Sequence, residues 1–268
     1  MMDNIPVERT TRAIRLLDDR CFELRTFIHE QLTGVWQNLV YWDEGDKKRL
    51  TIRTAIEGEH TNMDDAVISW RAFKELDTVA KQLWQDLDDN ILKPRTDIRQ
   101  RSLRSIQILD ASFPRWHNNS KLTTVQNTLS IDEMQADNSI KSLFDDLERV
   151  VQYLLEHLPN EVVKCLSEVM MPTLFTRIKE QWLDSAVPSS LDDMDEYQKS
   201  LAQVNDFAVK LESLSWPAAG GFYDWVSNSH RIWLSKRKEI ALDWIRNQLA
   251  LGRSQPPSPN IHLLFSRS

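Results

Sequence analysis

Apolar residues near the start of the chain recur every three or four positions, at Ile14, Leu17, Cys21, Leu24, Ile28, Leu32 and Val35. That spacing puts them on one helical stripe, in the manner of a coiled-coil seam. The pattern opens after Pro6 and runs through Leu39 to about Tyr41. It predicts a helix of about 35 residues, roughly 50 Å long at 1.5 Å per residue. A helix of that length points to a rod or bundle. Asp43-Glu44-Gly45-Asp46 ends it, and Arg49 to Ile56, carrying LTIRTAI, reads as a short extended segment. Asp64 or Asp65 then caps a second helix with the stripe Phe73, Leu76, Ala80, Leu83, Leu87 and Ile91. It halts before Pro94, because the residue preceding a proline avoids helical geometry. Residues 1–94 therefore read as a long antiparallel helix pair.

Residues 95–136 change period. Ile106 and Ile108 alternate with polar neighbours, as do Leu122, Thr124 and Gln126, then Leu129 and Ile131. This is a β-hairpin-like insertion whose tip, Phe113 to Ser120, reads as a loop. Helical spacing resumes after the N-cap Asn138-Ser139, through Ile140, Leu143, Leu147, Val150 and Leu154 to Leu158-Pro159. A further helix covers Glu161 to about Leu183, with a kink or break expected at Pro172. Pro188-Ser189-Ser190-Leu191-Asp192-Asp193 marks the next start: a serine hydroxyl accepts from a first-turn amide, and the acids face the positive end of the helix dipole.

That helix carries Leu191, Met194, Tyr197, Leu201, Val204, Phe207, Ala208, Leu211 and Leu214 and stops before Pro217. A short helix near Phe222–Val226 follows. The last is capped by Asn228 or Ser229, carries Trp233, Ile240, Trp244, Ile245 and Leu249, and has Gly252 as its C′ residue. Residues 137–252 thus form a helical bundle, and 253–268, rich in proline and serine, a disordered tail. The fold class is mainly α: an elongated bundle or rod of about seven helices with one small β-hairpin insertion. No period of a helical repeat emerges, which disfavours a solenoid.

Six glycines, at 34, 45, 58, 220, 221 and 252, fall mostly where helical patterns stop. They leave no phosphate-cradling loop, which needs several residues at positive φ. A net charge of −7 argues against a nucleic-acid partner. The basic run Lys236-Arg237-Lys238 is interleaved with apolar helix positions and reads as a solvated face. Cys21 and Cys165 lie among apolar residues and read as buried free thiols in a reducing compartment. No 18-residue apolar run predicts a membrane span, and the charges of residues 1–30 predict no signal peptide, so the expected location is cytosolic.

Candidate chemistry is sparse. No two of the six histidines stand four apart on a helix, so no metal pair is expected. The acids Asp192, Asp193, Asp195 and Glu196 lack the glycine and distant glutamate of a calcium loop, and helix-start electrostatics explain them. No serine has a nucleophile-elbow context, and neither cysteine has a nucleophile setting. No catalytic, cofactor-binding or metal residues are therefore assigned, and the chain is not expected to be an enzyme. Most of the ten tryptophans occupy core-facing helix positions. Trp116, on the expected hairpin tip, is the exception and the one weak candidate for a partner contact. Arg253 to Pro259 matches the R-x-x-P-x-x-P pattern of ligands for SH3 domains at a level that chance supplies in such tails. Asn118-Asn119-Ser120 has glycosylation spacing, which a cytosolic chain never presents to that machinery.

Three strings are not demanded by any general helix rule: VMMP at 169–172, DSAVPSSLDDMDEYQ at 184–198 and IWLSKRKEIALDWIRNQLALG at 232–252. Together they resemble the middle region of the Zeste-white ten family in its fungal form, most closely from Ile140 to Gly252. The resemblance implies a helical subunit of a vesicle-tethering complex serving Golgi-to-endoplasmic-reticulum retrograde transport, and in animals also of a kinetochore complex. It implies as partners the other tethering subunits and membrane-fusion proteins of the endoplasmic reticulum, with the chain peripheral to that membrane. Family members carry an N-terminal coiled coil that pairs with a sister subunit, and a C-terminal helical region. Neither flank is recognised here, so the chain reads as a fragment or truncated gene model. A kinetochore and spindle-checkpoint scaffold is the alternative, and an unrelated helical enzyme the third reading.

Overall fold

The computed structural model describes residues 7–43, 49–55, 62–99, 104–117, 120–135, 137–216 and 220–250. The three-and-four spacing yields helix α1, Val7–Leu39, 33 residues long. Its environment differs from expectation. Residues 11–31 are all exposed, and only Leu32, Val35, Trp36 and Leu39 reach the core. The long antiparallel pair over 1–94 does not form, because the second helical stretch is divided. Helix α2, Met63–Phe73, ends at Lys74, whose backbone takes the left-handed conformation (φ 61°). Helix α3, Leu76–Leu87, leaves in a new direction and packs on a later helix instead of on α1. Neither Asp64 nor Asp65 caps α2. Asn62 does, its side chain accepting from the Asp65 amide at 2.8 Å, while the two acids sit in the first turn.

Pro94 does not stop the helix. A π-helical turn, Asp88–Leu92, leads into α4, Lys93–Thr96, with the Lys93 amide donating back to the Asp88 carbonyl. That widened turn spares the ring the clash with the preceding turn that a proline otherwise makes. A second proline also lies within a helix, with no π-turn before it. Helix α6, Asn160–Ile178, runs through Pro172 without a break and continues through a π-turn, Lys179–Leu183, into α7, Asp184–Ala186.

The expected lone hairpin is part of a four-stranded antiparallel sheet in the order β1-β2-β4-β3. Strands β1, Val40–Asp43, and β2, Arg49–Ile52, join β4, Ser120–Gln135, through pairs such as Leu50↔Leu129. Strand β3, Arg104–His117, pairs with β4 out to His117↔Ser120, so Phe113 to His117 is strand and not loop. Pro114 fits there because β3 is an edge strand, with no second ladder to lose.

Helix α5, Ile140–His157, lies on this sheet and starts as its N-cap predicts, Ser139 Oγ accepting from the Ser142 amide at 3.1 Å. Helix α8 is Met194–Ser213 and α9 is Gly220–Ser227. The start of α8 differs from expectation: no serine caps it, and Ser190 Oγ instead donates to the Asp193 carboxylate at 2.9 Å. Rings from four elements close the core. Phe144 stacks on Phe207 at 4.4 Å, and Phe222 meets Phe175, Phe207 and Phe144 edge-on. Gly221 permits that approach, since a Cβ there would stand 3.1 Å from the Phe175 ring. The last helix, α10, Ser229–Ala250, buries no residue. Ile240, Ile245 and Leu249, expected on its core stripe, are exposed. Gly252 and residues 253–268 lie outside the described residues. The architecture is mainly α, as the periodicity predicts.

Tyr153 of α5 ties helices to sheet. Its hydroxyl accepts from the Ile52 amide at 2.9 Å and lies 3.1 Å from the Leu50 and Asn127 carbonyl oxygens, donating to one of them. Burial pushes its ionisation up to about 12 from 10. Between those values the unfolded chain has lost the proton and the folded chain keeps it, so this group's contribution to stability falls as pH rises. Tyr153→Phe strands the Ile52 amide, and unfolding in urea is expected to show a loss of about 1–3 kcal/mol at neutral pH. The variant should also lose less further stability than the parent between pH 10 and 12.

Candidate functional site

Two arrangements are candidates for function: a buried ionic cluster with a groove beside it, and the exposed length of α1. The cluster forms where α4, α5 and β3 meet. Arg95 and Asp146 are both buried, and Arg95 Nε donates to the carboxylate at 2.5 Å. Arg149 donates to the other carboxylate oxygen at 2.6 Å and to the Ile106 carbonyl at 3.2 Å, while Ser105 of β3 donates to it at 3.2 Å. Arg95 lies over the Trp182 ring at 5.6 Å and also donates to Ser142 Oγ at 3.1 Å. Nearby, Arg177 forks onto Asp88 with two contacts of 2.7 Å, and Trp182 Nε1 donates to the Thr96 carbonyl at 2.8 Å. Every carboxylate here is matched by a guanidinium, and the pairs join α3–α4 to α5 and α6. The arrangement is chemically a clamp.

Beside it an open groove of about 660 Å³ is lined by residues that include Ile140, Trp182, Asp193, Tyr197 and Lys236. Two of its charged groups help hold the fold: Asp193 accepts from Ser190, and Lys236 donates to the Val187 carbonyl. The Tyr197 hydroxyl is pushed above its usual range, first by burial and then by Asp184. Among the described residues no group of three or more His, Cys, Asp or Glu has the arrangement to hold a metal ion. Among the described residues, too, no helix is long and apolar enough to cross a membrane.

Among the described residues, the core contacts of helix α1 lie at its C-terminal end. Leu39 is fully buried, its carbonyl accepting from the Arg53 amide at 2.8 Å. One turn above the packed residues, the His29 ring meets Glu75 at 2.9 Å and stands edge-on to Trp70 at 5.4 Å. Beyond that point Ile14, Leu17, Leu24 and Ile28 are 54, 65, 60 and 41% exposed. Off the stripe, Leu16, Phe22 and Phe27 are exposed as well. An apolar stripe of this length in water is the kind of surface that marks a protein–protein contact.

The residues singled out from sequence are not brought together. The backbone of Trp116 lies on β3 with its Cα opposite Lys121, far along the hairpin and not on a loop; its side chain lies outside the described residues. Cys21 is exposed, contrary to the expected buried thiol, because no described residue covers the α1 stripe there. Cys165 is half-buried, and burial followed by the neighbouring Asp77 raises its thiol. His157 sits at the core edge, Nδ1 2.8 Å from the Tyr153 carbonyl oxygen. The buried Arg95–Asp146 pair was not signalled in the sequence, since nothing local distinguishes a buried arginine from a surface one. No family model and no curated protein matches the chain.

Two outcomes are expected. Asp146→Asn keeps the volume but leaves Arg95 buried without its counter-charge, and urea unfolding should show a loss of about 3–5 kcal/mol. In dilute solution a thiol reagent should label Cys21 well before Cys165, the second phase catching up only as pH rises toward the raised Cys165 value.

Proposed function

We propose that the chain is a non-catalytic scaffold: a structural subunit of a vesicle-tethering complex acting in Golgi-to-endoplasmic-reticulum retrograde transport, cytoplasmic and peripheral to that membrane. The single observation that carries the scaffolding part is α1, a helix anchored at one end with an uncovered apolar stripe along the rest. A stiff helix of this kind presents side chains to another protein without ordering cost, so the binding energy is not spent on folding the element. The choice of a tethering complex rests on the Zeste-white ten resemblance of residues 140–252. Its partners are then other tethering subunits and membrane-fusion proteins of the endoplasmic reticulum.

Tagged chain isolated from interphase cells is expected to co-purify with such subunits and fusion proteins, identified by mass spectrometry. Recovery of kinetochore components from mitotic cells alone would replace the transport reading with the checkpoint one. Recovery of neither set would remove the family assignment.

A further inference from the structure

The exposed stripe of α1 has a heptad frame. Ile14, Cys21 and Ile28 fall at a positions, Leu17, Leu24 and Gln31 at d. The flanking e positions hold Asp18 and Arg25, and the g positions hold Arg20 and Phe27. Arg20 is occupied by Glu23 on its own helix. Asp18 and Arg25 have no ion-pair partner among the described residues. The seam thus offers five apolar or thiol positions, one polar end and two opposite charges seven residues apart on the same flank.

These charges discriminate between ways of covering the seam. Two copies packed parallel and in register would place Arg20 of each against the partner's Arg25, twice, which is repulsive. Packed antiparallel, with Leu17 opposite the partner's Ile28 and Cys21 opposite the partner's Leu24, each Asp18 falls beside the partner's Arg25. Two-fold symmetry supplies that favourable pair twice. In the same register Arg20 lies along the partner's Phe27, a cation over an aromatic face. The overlap runs from Ile14 opposite the partner's Gln31 to Gln31 opposite the partner's Ile14. The heptad seam ends one residue before Leu32, where α1 begins to be covered by its own body, and residues 7–13 of each copy continue opposite 32–38 of the other.

We infer that α1 is a self-association element: the Ile14–Gln31 seam of one copy packs antiparallel on that of a second, with Asp18 of each paired to Arg25 of the other. The inference rests on α1 alone and is independent of the transport reading, which would survive its failure. Because all the seam residues are exposed in the single copy, changing them leaves the body intact.

Sedimentation velocity of the full chain over a concentration series is expected to show a monomer–dimer equilibrium, with Cys21 labelling slowing as the dimer fills. Leu17→Glu with Leu24→Glu should give a monomer with unchanged circular dichroism and concentration-independent Cys21 labelling. Asp18→Arg and Arg25→Asp should each weaken association by about tenfold, and the two together should restore it. A chain that stays monomeric throughout, including one that only captures a foreign helix, overturns the proposal. So does a dimer indifferent to the two glutamates, or one tightened by Arg25→Asp, the signature of the parallel arrangement.

Discussion

The carboxylate of Asp146 is where the helical and sheet parts of this protein are made to agree. Removed from water, it would be costly unless neutralised, and it is met by Arg95 from α4, Arg149 from its own helix and Ser105 from β3. Satisfying one buried charge therefore fixes three elements relative to one another. The Tyr153 hydroxyl repeats the device two turns along α5, bonding to backbone of β2 and β4. Between these points α5 has little freedom to slide on the sheet. Hydrophobic burial supplies most of the driving force for packing, but it is not directional. The ionic and hydroxyl contacts select one register out of the many that burial alone would accept.

A body so closely registered can carry an extension. The last turns of α1 are packed through Leu32, Val35, Trp36 and Leu39, so the exposed turns before them inherit a fixed direction. The same residues that would otherwise be an aggregation liability become useful when the helix is stiff and its stripe regular. The scaffolding role we propose rests on an imbalance: more apolar periodicity is encoded in α1 than the described core of this chain consumes.

How much of this was legible beforehand varies by the kind of signal. Helix existence was well marked, because periodicity in α1, α3, α5, α6 and α8 records local geometry. Burial was less so. The α1 and α10 stripes have core-like spacing, yet Leu17, Leu24, Ile240 and Ile245 are exposed, since a stripe does not say what covers it. The off-stripe Leu16, Phe22 and Phe27 were the available warning that α1 has no single inward face. Prolines misled: Pro94 follows a π-turn that accommodates its ring, and α6 runs on through Pro172, neither of which residue-by-residue preference anticipates. At Lys74 a lysine adopts a conformation that glycine prefers, so the division of the second helix left no mark in composition. The Arg95–Asp146 pair spans 51 positions and is set only by the folded topology.

The position of Pro114 has one more consequence. β3 forms the outer edge of the sheet, and a long uncovered edge is an open invitation to strand addition by a neighbouring molecule. A ring nitrogen without a proton interrupts the row of donors along that edge. Where the hairpin extends beyond β2 both of its strands are edges, and Pro114 leaves β3 the poorer of the two as a template for a further strand.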